Sequence, residues 1–312
     1  MKYCFGIDVG GTTVKLGLFD TEGNVIDKWE IKTRSENGGV NVLPDIAEAV
    51  KGKMEEKGIA AADVAGAGIG VPGPVTNDGY VNKAVNLGWN ERFNVEEKLS
   101  SMLGLPVKAG NDANVAALGE MWKGGGAGAE NVVFVTLGTG VGGGIIIGGK
   151  IVTGSHGAGG EIGHIHVEDK ETDSCGCGNH GCLEQYASAT GVVRIANKLL
   201  KETEEETVLR TGEISAKTVF DAVKAGDAFA IKVAEQFGKY LGTALANISA
   251  IVDPEVFVIG GGVSKAGEVL LDYIKKYYVP TAFHGCRETR FELAKLGNDA
   301  GIYGTARLIL DK

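Results

Sequence analysis

The segment between Gly159 and Glu184 contains the residues of this chain with the clearest capacity for chemistry. One histidine and three cysteines lie within it, separated by short polar and glycine-containing stretches: His164, Cys175, Cys177 and Cys182. Three thiolates and one imidazole are a complete tetrahedral ligand set for Zn²⁺, with no position left open for water. The spacing therefore predicts one structural zinc site.

Two other histidines leave the identity of the nitrogen ligand open. His166 and His180 lie in the same segment, and either could replace His164. We favour His164 because it ends the sequence G-G-E-I-G-H and so lies near the acidic Glu161.

These cysteines could instead form a disulfide or be three unrelated thiols. A bridge from Cys175 to Cys182 is disfavoured because the chain has five cysteines, an odd number, and no signal peptide is recognised at its start. Cys175 and Cys177 are a poor pair, since so short a loop strains disulfide geometry. We expect free thiols, which together with the lack of an export signal indicate the cytoplasm.

Two carboxylates, those of Glu161 and Glu184, flank the predicted zinc ligands. A closed zinc site does not need them as ligands. A structural metal that holds two acidic side chains at a fixed separation builds a rigid polar binding surface.

Composition limits the class of protein. The chain has 312 residues, which favours two domains over one core. Apolar residues make up 44% and charged residues 23%, as in globular proteins. The net charge of −9 disfavours nucleic acid as the main partner, and no apolar stretch is long enough to span a membrane.

Two parts of the chain repeat one pattern of strand, Gly/Thr turn, strand, hairpin and strand. The first covers residues 3 to 26 and contains the first Gly/Thr turn, D-V-G-G-T-T at residues 8 to 13. The second begins with a strand at 131 to 136 and continues through the second Gly/Thr turn, L-G-T-G-V-G-G-G at residues 137 to 144. An internal repeat is stronger evidence for the fold than any single local motif. We therefore predict a duplicated α/β fold that binds a nucleoside triphosphate.

The Gly/Thr turns have the composition of phosphate-binding loops. Gly10 and Gly11 leave backbone N–H groups exposed at a strand end, where they can hold phosphate oxygens. Asp8, at the end of the same strand, is placed to orient a hydrated Mg²⁺. One such turn alone is equally typical of an ordinary β-hairpin. The chain lacks G-x-x-x-x-G-K-[ST], and it also lacks a G-x-G-x-x-G that opens a helix, so P-loop and dinucleotide folds are disfavoured.

A candidate catalytic carboxylate lies between the two copies. The sequence G-N-D-A-N at residues 110 to 114 follows a short strand and opens a predicted helix over 113 to 122. Asp112 is therefore either the N-cap of this helix or a carboxylate base aimed at a substrate. Asn111 and Asn114 add hydrogen-bonding groups to the same place.

The remaining elements follow from apolar periodicity and glycine positions. We predict helices over 43–57, 95–103, 187–200, 216–225 and 227–252, with a final helix from about residue 299. A buried strand over 256–259 leads into G-G-G-V-S at 260–264, where consecutive glycines permit the close approach of a base or ribose.

These motifs in this order resemble the ROK family of repressors and sugar kinases, and the resemblance covers nearly the whole chain. They are D-V-G-G-T-T, P-G-P-V, G-N-D-A-N, L-G-T-G-V-G-G-G, G-G-E-I-G-H, C-G-C-G-N-H-G-C-L-E and G-G-G-V-S. The resemblance implies a duplicated actin-like, ribonuclease H-like ATPase fold with two domains around a cleft. A small α/β domain is expected over 1–118 plus 299–312, and a larger one with the zinc segment over 119–298.

The resemblance also assigns roles to residues. Asp112 matches the general base of an ATP-dependent hexose kinase, with glucose as the expected hexose. The residues expected to contact the sugar are Gly73, Asn86, Asn111, Asp112, Glu161, His164 and Glu184. Those expected to bind ATP with Mg²⁺ are Asp8, Gly10, Gly11, Thr12, Gly138, Thr139, Gly261 and Gly262. A homodimer is expected on the same ground.

Three alternatives stay open at this point. The kinase could act on fructose, mannose, allose or an N-acetylated amino sugar, because pocket shape decides the hexose and motifs resolve it poorly. A repressor is disfavoured, since only seven residues precede Asp8 and leave no room for a helix-turn-helix domain. A non-catalytic sugar sensor is disfavoured because the turns and the candidate base are intact.

Overall fold

Two five-stranded sheets with the same order of strands organise the chain. The structure, a computed structural model, describes residues 1–311. Its strands are β1 (Tyr3–Val9), β2 (Thr13–Asp20), β3 (Val25–Lys32), β4 (Val64–Val71), β5 (Tyr80–Val81), β6 (Phe93–Asn94), β7 (Val107–Asn111), β8 (Val132–Leu137), β9 (Val141–Ile147), β10 (Lys150–Ile151), β11 (Val256–Gly260) and β12 (Arg290–Leu293).

The helices include one short irregular turn, α1, and nine longer or better-formed elements. They are α1 (Glu36–Gly39), α2 (Val42–Lys57), α3 (Val95–Leu103), α4 (Asp112–Lys123), α5 (Glu184–Ala187), α6 (Ala189–Glu202), α7 (Ala216–Lys224), α8 (Ala228–Val252), α9 (Glu268–Thr281) and α10 (Ala300–Leu310).

The first sheet has the order β3-β2-β1-β4-β7 and the second has the order β10-β9-β8-β11-β12. In the first, β1 pairs antiparallel with β2 and parallel with β4. In the second, β8 pairs parallel with β11, and β9 pairs antiparallel with β10. The corresponding orders confirm the predicted duplication of the α/β fold.

Chain contacts divide the protein into two units. Unit 1 comprises Met1–Gly128, Gly144–Gly160 and the described residues of Lys295–Lys312, and unit 2 comprises Ala129–Gly143 and Glu161–Ala294. Unit 1 contains the first sheet, and unit 2 contains β8, β11 and β12. Strand β9 runs from unit 2 into unit 1 after Gly143.

Burial along the strands follows their positions in the sheets. The edge strand β3 alternates between half-buried and exposed residues, as its sequence V-I-D-K-W-E-I-K predicts for a strand with one covered face. The central strand β11 is buried throughout, as expected for a parallel strand covered on both faces. Sequence periodicity therefore identifies both kinds of strand.

In unit 1, α10 packs on α4 and on strands β1 and β4. Its packing brings the end of the chain back to the sheet that carries the first Gly/Thr turn. The main core of this unit includes Phe5, Ile7, Ile69 and Leu99, which are fully buried.

Glu120 of α4 is a fully buried carboxylate in unit 1. It accepts backbone hydrogen bonds from Gly125 (2.8 Å), Lys295 (3.0 Å) and Leu296 (2.8 Å). These donors lie close to the points where the chain leaves unit 1 and where it returns. One side chain therefore fixes both segments to α4.

In unit 2, the long helix α8 begins after Asp227, whose side chain accepts a hydrogen bond from the N–H of Ala230 (2.9 Å). This carboxylate satisfies one of the free N–H groups of the first turn. The bounds of helix α9 were not predicted, although Leu270, Ile274 and Tyr278 recur at helical spacing and are buried. Pro280 lies inside its last turn.

No helix within residues 1–311 has both the length and the apolar character that a membrane crossing requires.

Candidate functional site

The candidate base Asp112 is the first residue of α4, directly after β7. The N-cap of this helix is Asn111, whose Oδ1 accepts hydrogen bonds from the N–H groups of Ala113 (3.0 Å) and Asn114 (3.2 Å). The alternative in which Asp112 serves as the N-cap is therefore wrong. Asn111 has an extended backbone and Asp112 begins the helix. Asp112 therefore lies at the end of β7, the last strand of the first sheet.

Hydrogen bonds hold one oxygen of the Asp112 carboxylate. Oδ1 accepts from the side-chain amide of Asn111 (2.9 Å) and from the N–H of Ala113 (2.8 Å). The same amide of Asn111 donates to the carbonyl of Gly73 (3.1 Å). The Asn111 side chain thus connects two other predicted site residues of unit 1, Asp112 and Gly73.

Asp8 lies at the end of β1, beside Gly301 in the first turn of α10. Burial, and after it the nearby Asp112 carboxylate, raise the pKa of Asp8 to about 6, while Lys15 opposes both. Lys15 lies opposite Asp8 in the β1–β2 register and donates to the carbonyl of Asn298 (2.9 Å). Two mutually repelling carboxylates near each other suit a divalent cation, which would relieve the repulsion.

The backbone of the first Gly/Thr turn is hydrogen-bonded to Thr33, the residue that follows β3. The N–H of Gly10 donates to the carbonyl of Thr13 (3.0 Å), and the Thr33 hydroxyl donates to the carbonyl of Gly10 (2.7 Å). The N–H of Thr33 donates to the carbonyl of Thr12 (3.0 Å). Asn86 lies near the turn at Gly11, since a Cβ added to Gly11 would be 3.7 Å from the Cβ of Asn86. The structure thus brings Asn86 to the first Gly/Thr turn.

The second Gly/Thr turn and the G-G-G-V-S loop are adjacent in unit 2. Gly261 has a φ of +81°, and a Cβ there would lie 2.5 Å from the backbone N and O of Leu137. Only glycine permits this approach without strain. The N–H of Gly138 donates to the carbonyl of Gly140 (3.0 Å), which closes the turn. Gly138, predicted for phosphate, and Gly261, predicted for adenosine, therefore follow the ends of the neighbouring strands β8 and β11.

The four predicted zinc ligands converge in unit 2. Their ligand atoms all lie within 4.8 Å of one another. The Cys175 sulfur lies 3.8 Å from Nδ1 of His164, and the Cys177 and Cys182 sulfurs lie 3.7 Å apart. Ligand atoms about 2.3 Å from a tetrahedral zinc are about 3.8 Å apart, so this donor set fits the ion.

The other two histidines have different surroundings. Nδ1 of His166 lies 3.0 Å from the carbonyl of His180, and its Nε2 lies 2.8 Å from Asp169. Neither residue belongs to the cluster of ligand atoms, which contains His164. The tertiary structure thus separates the three histidines that the sequence left as alternatives.

The two predicted carboxylates lie near different ligands of this cluster. Oε2 of Glu161 lies 3.9 Å from Nε2 of His164, and Oε1 of Glu184 lies 3.4 Å from the Cys175 sulfur. His164 presents Nδ1 to the sulfurs and Nε2 to Glu161, so one ring can serve the metal and the polar surface together. The other oxygen of Glu184 accepts from the N–H of Val141 (3.1 Å).

A second network, absent from the sequence prediction, holds the segment that carries the cysteines. Burial raises the pKa of Glu171, but hydrogen bonds from Tyr186 and Arg194 outweigh it and lower the pKa to about 2. Arg194 also contacts Asp173 (3.0 Å). Because Arg194 belongs to α6, this network fastens the cysteine segment to that helix. The four partners lie up to 23 residues apart, and no short motif identifies them.

Comparison with known proteins places these features in a family. The ROK family profile matches residues 4–312. A glucokinase of Halalkalibacterium halodurans is 45% identical over 99% of this chain and 95% of that protein. The ROK hexokinase of Thermus thermophilus has a similar structure, with a TM-score of 0.82 and 32% identity over 97% of this chain and 96% of that one. A ROK glucokinase of Streptomyces griseus, solved with glucose and AMPPNP, gives a TM-score of 0.74 and 36% identity over 98% of both chains.

Proposed function

Since the chain belongs to the ROK family, we propose that it is an ATP-dependent glucokinase, with Asp112 as the general base. The observation that carries the activity is the 45% identity to a glucokinase across nearly the whole of both chains. The ROK glucokinase solved with glucose and AMPPNP supports the same substrates. The reaction converts glucose and ATP to glucose 6-phosphate and ADP.

In the proposed mechanism, Asp112 takes the proton from the sugar hydroxyl as that oxygen attacks the γ-phosphorus of ATP. The bond from that phosphorus to the bridging oxygen breaks, and ADP leaves. Asn111 keeps the carboxylate of Asp112 in place through the 2.9 Å hydrogen bond between them. Phosphoryl transfer needs mainly positioning and charge neutralisation, so a fixed base and two backbone-lined turns suffice as protein groups.

We propose that Glu161, His164 and Glu184 bind the hydroxyl groups of the sugar. Glu161 and Glu184 would accept hydrogen bonds from the sugar, and Nε2 of His164, which carries the ring proton when Nδ1 binds the metal, would donate one. Asn111, Gly73 and Asn86 are further proposed sugar contacts. A site that pairs buried polar groups with each hydroxyl rejects sugars that lack a partner.

Two metals complete the proposal. His164, Cys175, Cys177 and Cys182 would hold a structural zinc, which ties the cysteine segment together when bound. Asp8 would orient a hydrated Mg²⁺, which neutralises phosphate charge when bound. The pKa of Asp8, raised to about 6 by burial and by Asp112, supports a cation as its partner.

A coupled assay of ADP release over a panel of hexoses tests the activity. The panel contains glucose, fructose, mannose, allose and N-acetylated amino sugars, each with Mg·ATP. We expect the largest kcat/KM for glucose. A larger value for another hexose would make the chain a kinase for that sugar. Absence of turnover with every sugar, by protein that binds glucose, would indicate a sugar-sensing regulator.

The family also leads us to propose a cytoplasmic homodimer. Sedimentation at working concentrations should give twice the mass of the chain. A monomer under those conditions would contradict the proposed homodimer and would leave the proposed glucokinase activity unaffected.

A further inference from the structure

The second Gly/Thr turn is held by groups from α5 and α6 of the same unit. The N–H of Ala189 donates to the carbonyl of Gly138 (2.8 Å), and the Thr190 hydroxyl donates to the carbonyl of Thr139 (2.7 Å). From α5, the Glu184 carboxylate accepts from the N–H of Val141 (3.1 Å). The turn therefore rests on the residue that is proposed to contact sugar and on the start of the next helix.

The approach of Glu184 to this turn is close. A Cβ on Gly140 would lie 2.0 Å from Oε2 of Glu184. The Glu184 carboxylate therefore lies against the backbone of the turn. We expect that a movement of this side chain, such as one caused by a bound sugar, also moves the turn.

A pair of hydroxyls makes a second connection between the same two places. The Ser188 hydroxyl donates to the backbone carbonyl of Glu184 (2.7 Å) and lies 2.9 Å from the Thr190 hydroxyl. Thr190 in turn reaches Thr139. Ser188 is fully buried and also accepts from the N–H of Gly191 (2.9 Å), so its position is fixed as the N-cap of α6.

The hydroxyls of Ser188 and Thr190 carry fewer protons than their contacts need. Each hydroxyl carries one proton, so Ser188 and Thr190 can donate two hydrogen bonds. Three contacts need a proton: Ser188 to the Glu184 carbonyl, Ser188 to Thr190, and Thr190 to the Thr139 carbonyl. If Thr190 donates to Ser188, the Thr139 carbonyl loses its partner. If Ser188 donates to Thr190, the Glu184 carbonyl loses it instead.

We propose that Ser188 and Thr190 are positioning residues that couple sugar binding at Glu184 to phosphate binding at the second Gly/Thr turn. The inference rests on the proposed function, because that function places glucose at Glu184 and ATP phosphates at Thr139. A shift at either end of the hydroxyl pair selects one arrangement of its two protons and thereby changes the hold on the other end. Each substrate then tightens the binding of the other, by the same factor.

The variant Thr190→Val tests this coupling, since valine keeps the shape of threonine and lacks the hydroxyl. Binding of glucose and of AMPPNP with Mg²⁺ is measured by calorimetry, each alone and each with the other at saturation. In the wild type we expect each ligand to tighten the other by a factor of about 5 to 150. In Thr190→Val we expect this factor to fall about three-fold or more, which is the effect of one hydrogen bond. Thr190→Ser retains the hydroxyl and should retain the factor.

Thr211→Val is the matched control, because Thr211 is exposed in the same unit and its hydroxyl makes a long hydrogen bond to the carbonyl of Val208 (3.4 Å). It should leave the coupling factor unchanged. A purely structural role of Thr190 predicts a lower melting temperature with wild-type coupling, and that result overturns the inference. So does a wild type in which the two ligands bind independently. Turnover of glucose by the wild type is measured first, so failure of the proposed function appears as absent turnover, whereas failure of this inference appears as normal turnover with unaltered coupling in Thr190→Val.

Discussion

The side-chain amide of Asn111 donates a hydrogen bond of 2.9 Å to the carboxylate of Asp112, while its oxygen caps α4. From the sequence, Asp112 could be either the cap of the helix or a catalytic base. In the structure, Asn111 is the cap. Asn111 accepts hydrogen bonds from the N–H groups of Ala113 and Asn114, and the Asp112 carboxylate shares the N–H of Ala113. An asparagine at position 112 keeps a side-chain oxygen for that contact. A change at Asp112 can therefore be interpreted as a change in chemistry.

Asp112→Asn should lower kcat by about 10²-fold or more, because an amide cannot accept the sugar proton. Folding and the KM for glucose should stay close to wild type, since Asn111 still caps the helix and proton transfer matters in the transition state. Steady-state kinetics with glucose and a thermal melt measure these quantities.

Asp272→Asn is the control for this variant, because Asp272 is exposed on α9. Its kinetics should match wild type. If a well-folded Asp112→Asn protein keeps more than about a tenth of wild-type kcat, Asp112 is not the general base.

Protein purified without chelator should contain one zinc per chain, as the four ligand atoms within 4.8 Å predict. Cys177→Ser should lower the zinc content and raise the KM for glucose several-fold, since Glu161 and Glu184 lie beside the cluster. Metal analysis and kinetics give both values. Cys286→Ser, at a buried cysteine outside the cluster, should change neither. Zinc-free wild-type protein with normal glucose KM would exclude the structural metal.

Asp8→Asn should stabilise the fold at neutral pH and have little effect in acid. Burial and the Asp112 carboxylate raise the folded-state pKa of Asp8 from 3.8 to about 6. The folded protein therefore holds this proton more tightly than the unfolded chain does, and its contribution to stability is lost as pH rises from about 4 through 6. The asparagine variant lacks this loss. Urea unfolding without Mg²⁺ or nucleotide, over about pH 4 to 8, should show a stability gap that opens as pH rises. A gap independent of pH would contradict the raised pKa.

Glu120→Gln should destabilise the protein by about 1–3 kcal/mol, because an amide offers one acceptor oxygen to three backbone donors that lie around a fully buried side chain. Urea unfolding measures the change. Glu97→Gln, at an exposed position of α3, should stay within about 0.5 kcal/mol of wild type. Equal stability of the two variants would show that the three hydrogen bonds contribute little.

Local pattern was enough for the duplicated fold and for the cluster of metal ligands. The repeat can be recognised from the sequence because alternating apolar residues mark the strands and glycines mark the turns, all within about 25 residues. His164, Cys175, Cys177 and Cys182 lie within one loop-rich segment, so their convergence needs little help from the rest of the chain.

Tertiary structure decided which histidine joins the cysteines, which of two adjacent residues caps α4, and which distant groups meet. The cap depends on the backbone at Asn111, which is extended because β7 ends there. Glu120 meets Leu296 across 176 residues, and Thr190 meets Thr139 across 51. Such contacts arise from the order of strands in a sheet and from the packing of helices on it. Each is a property of the whole chain's arrangement, because no residue type or spacing near Glu120 or Thr190 specifies the partner.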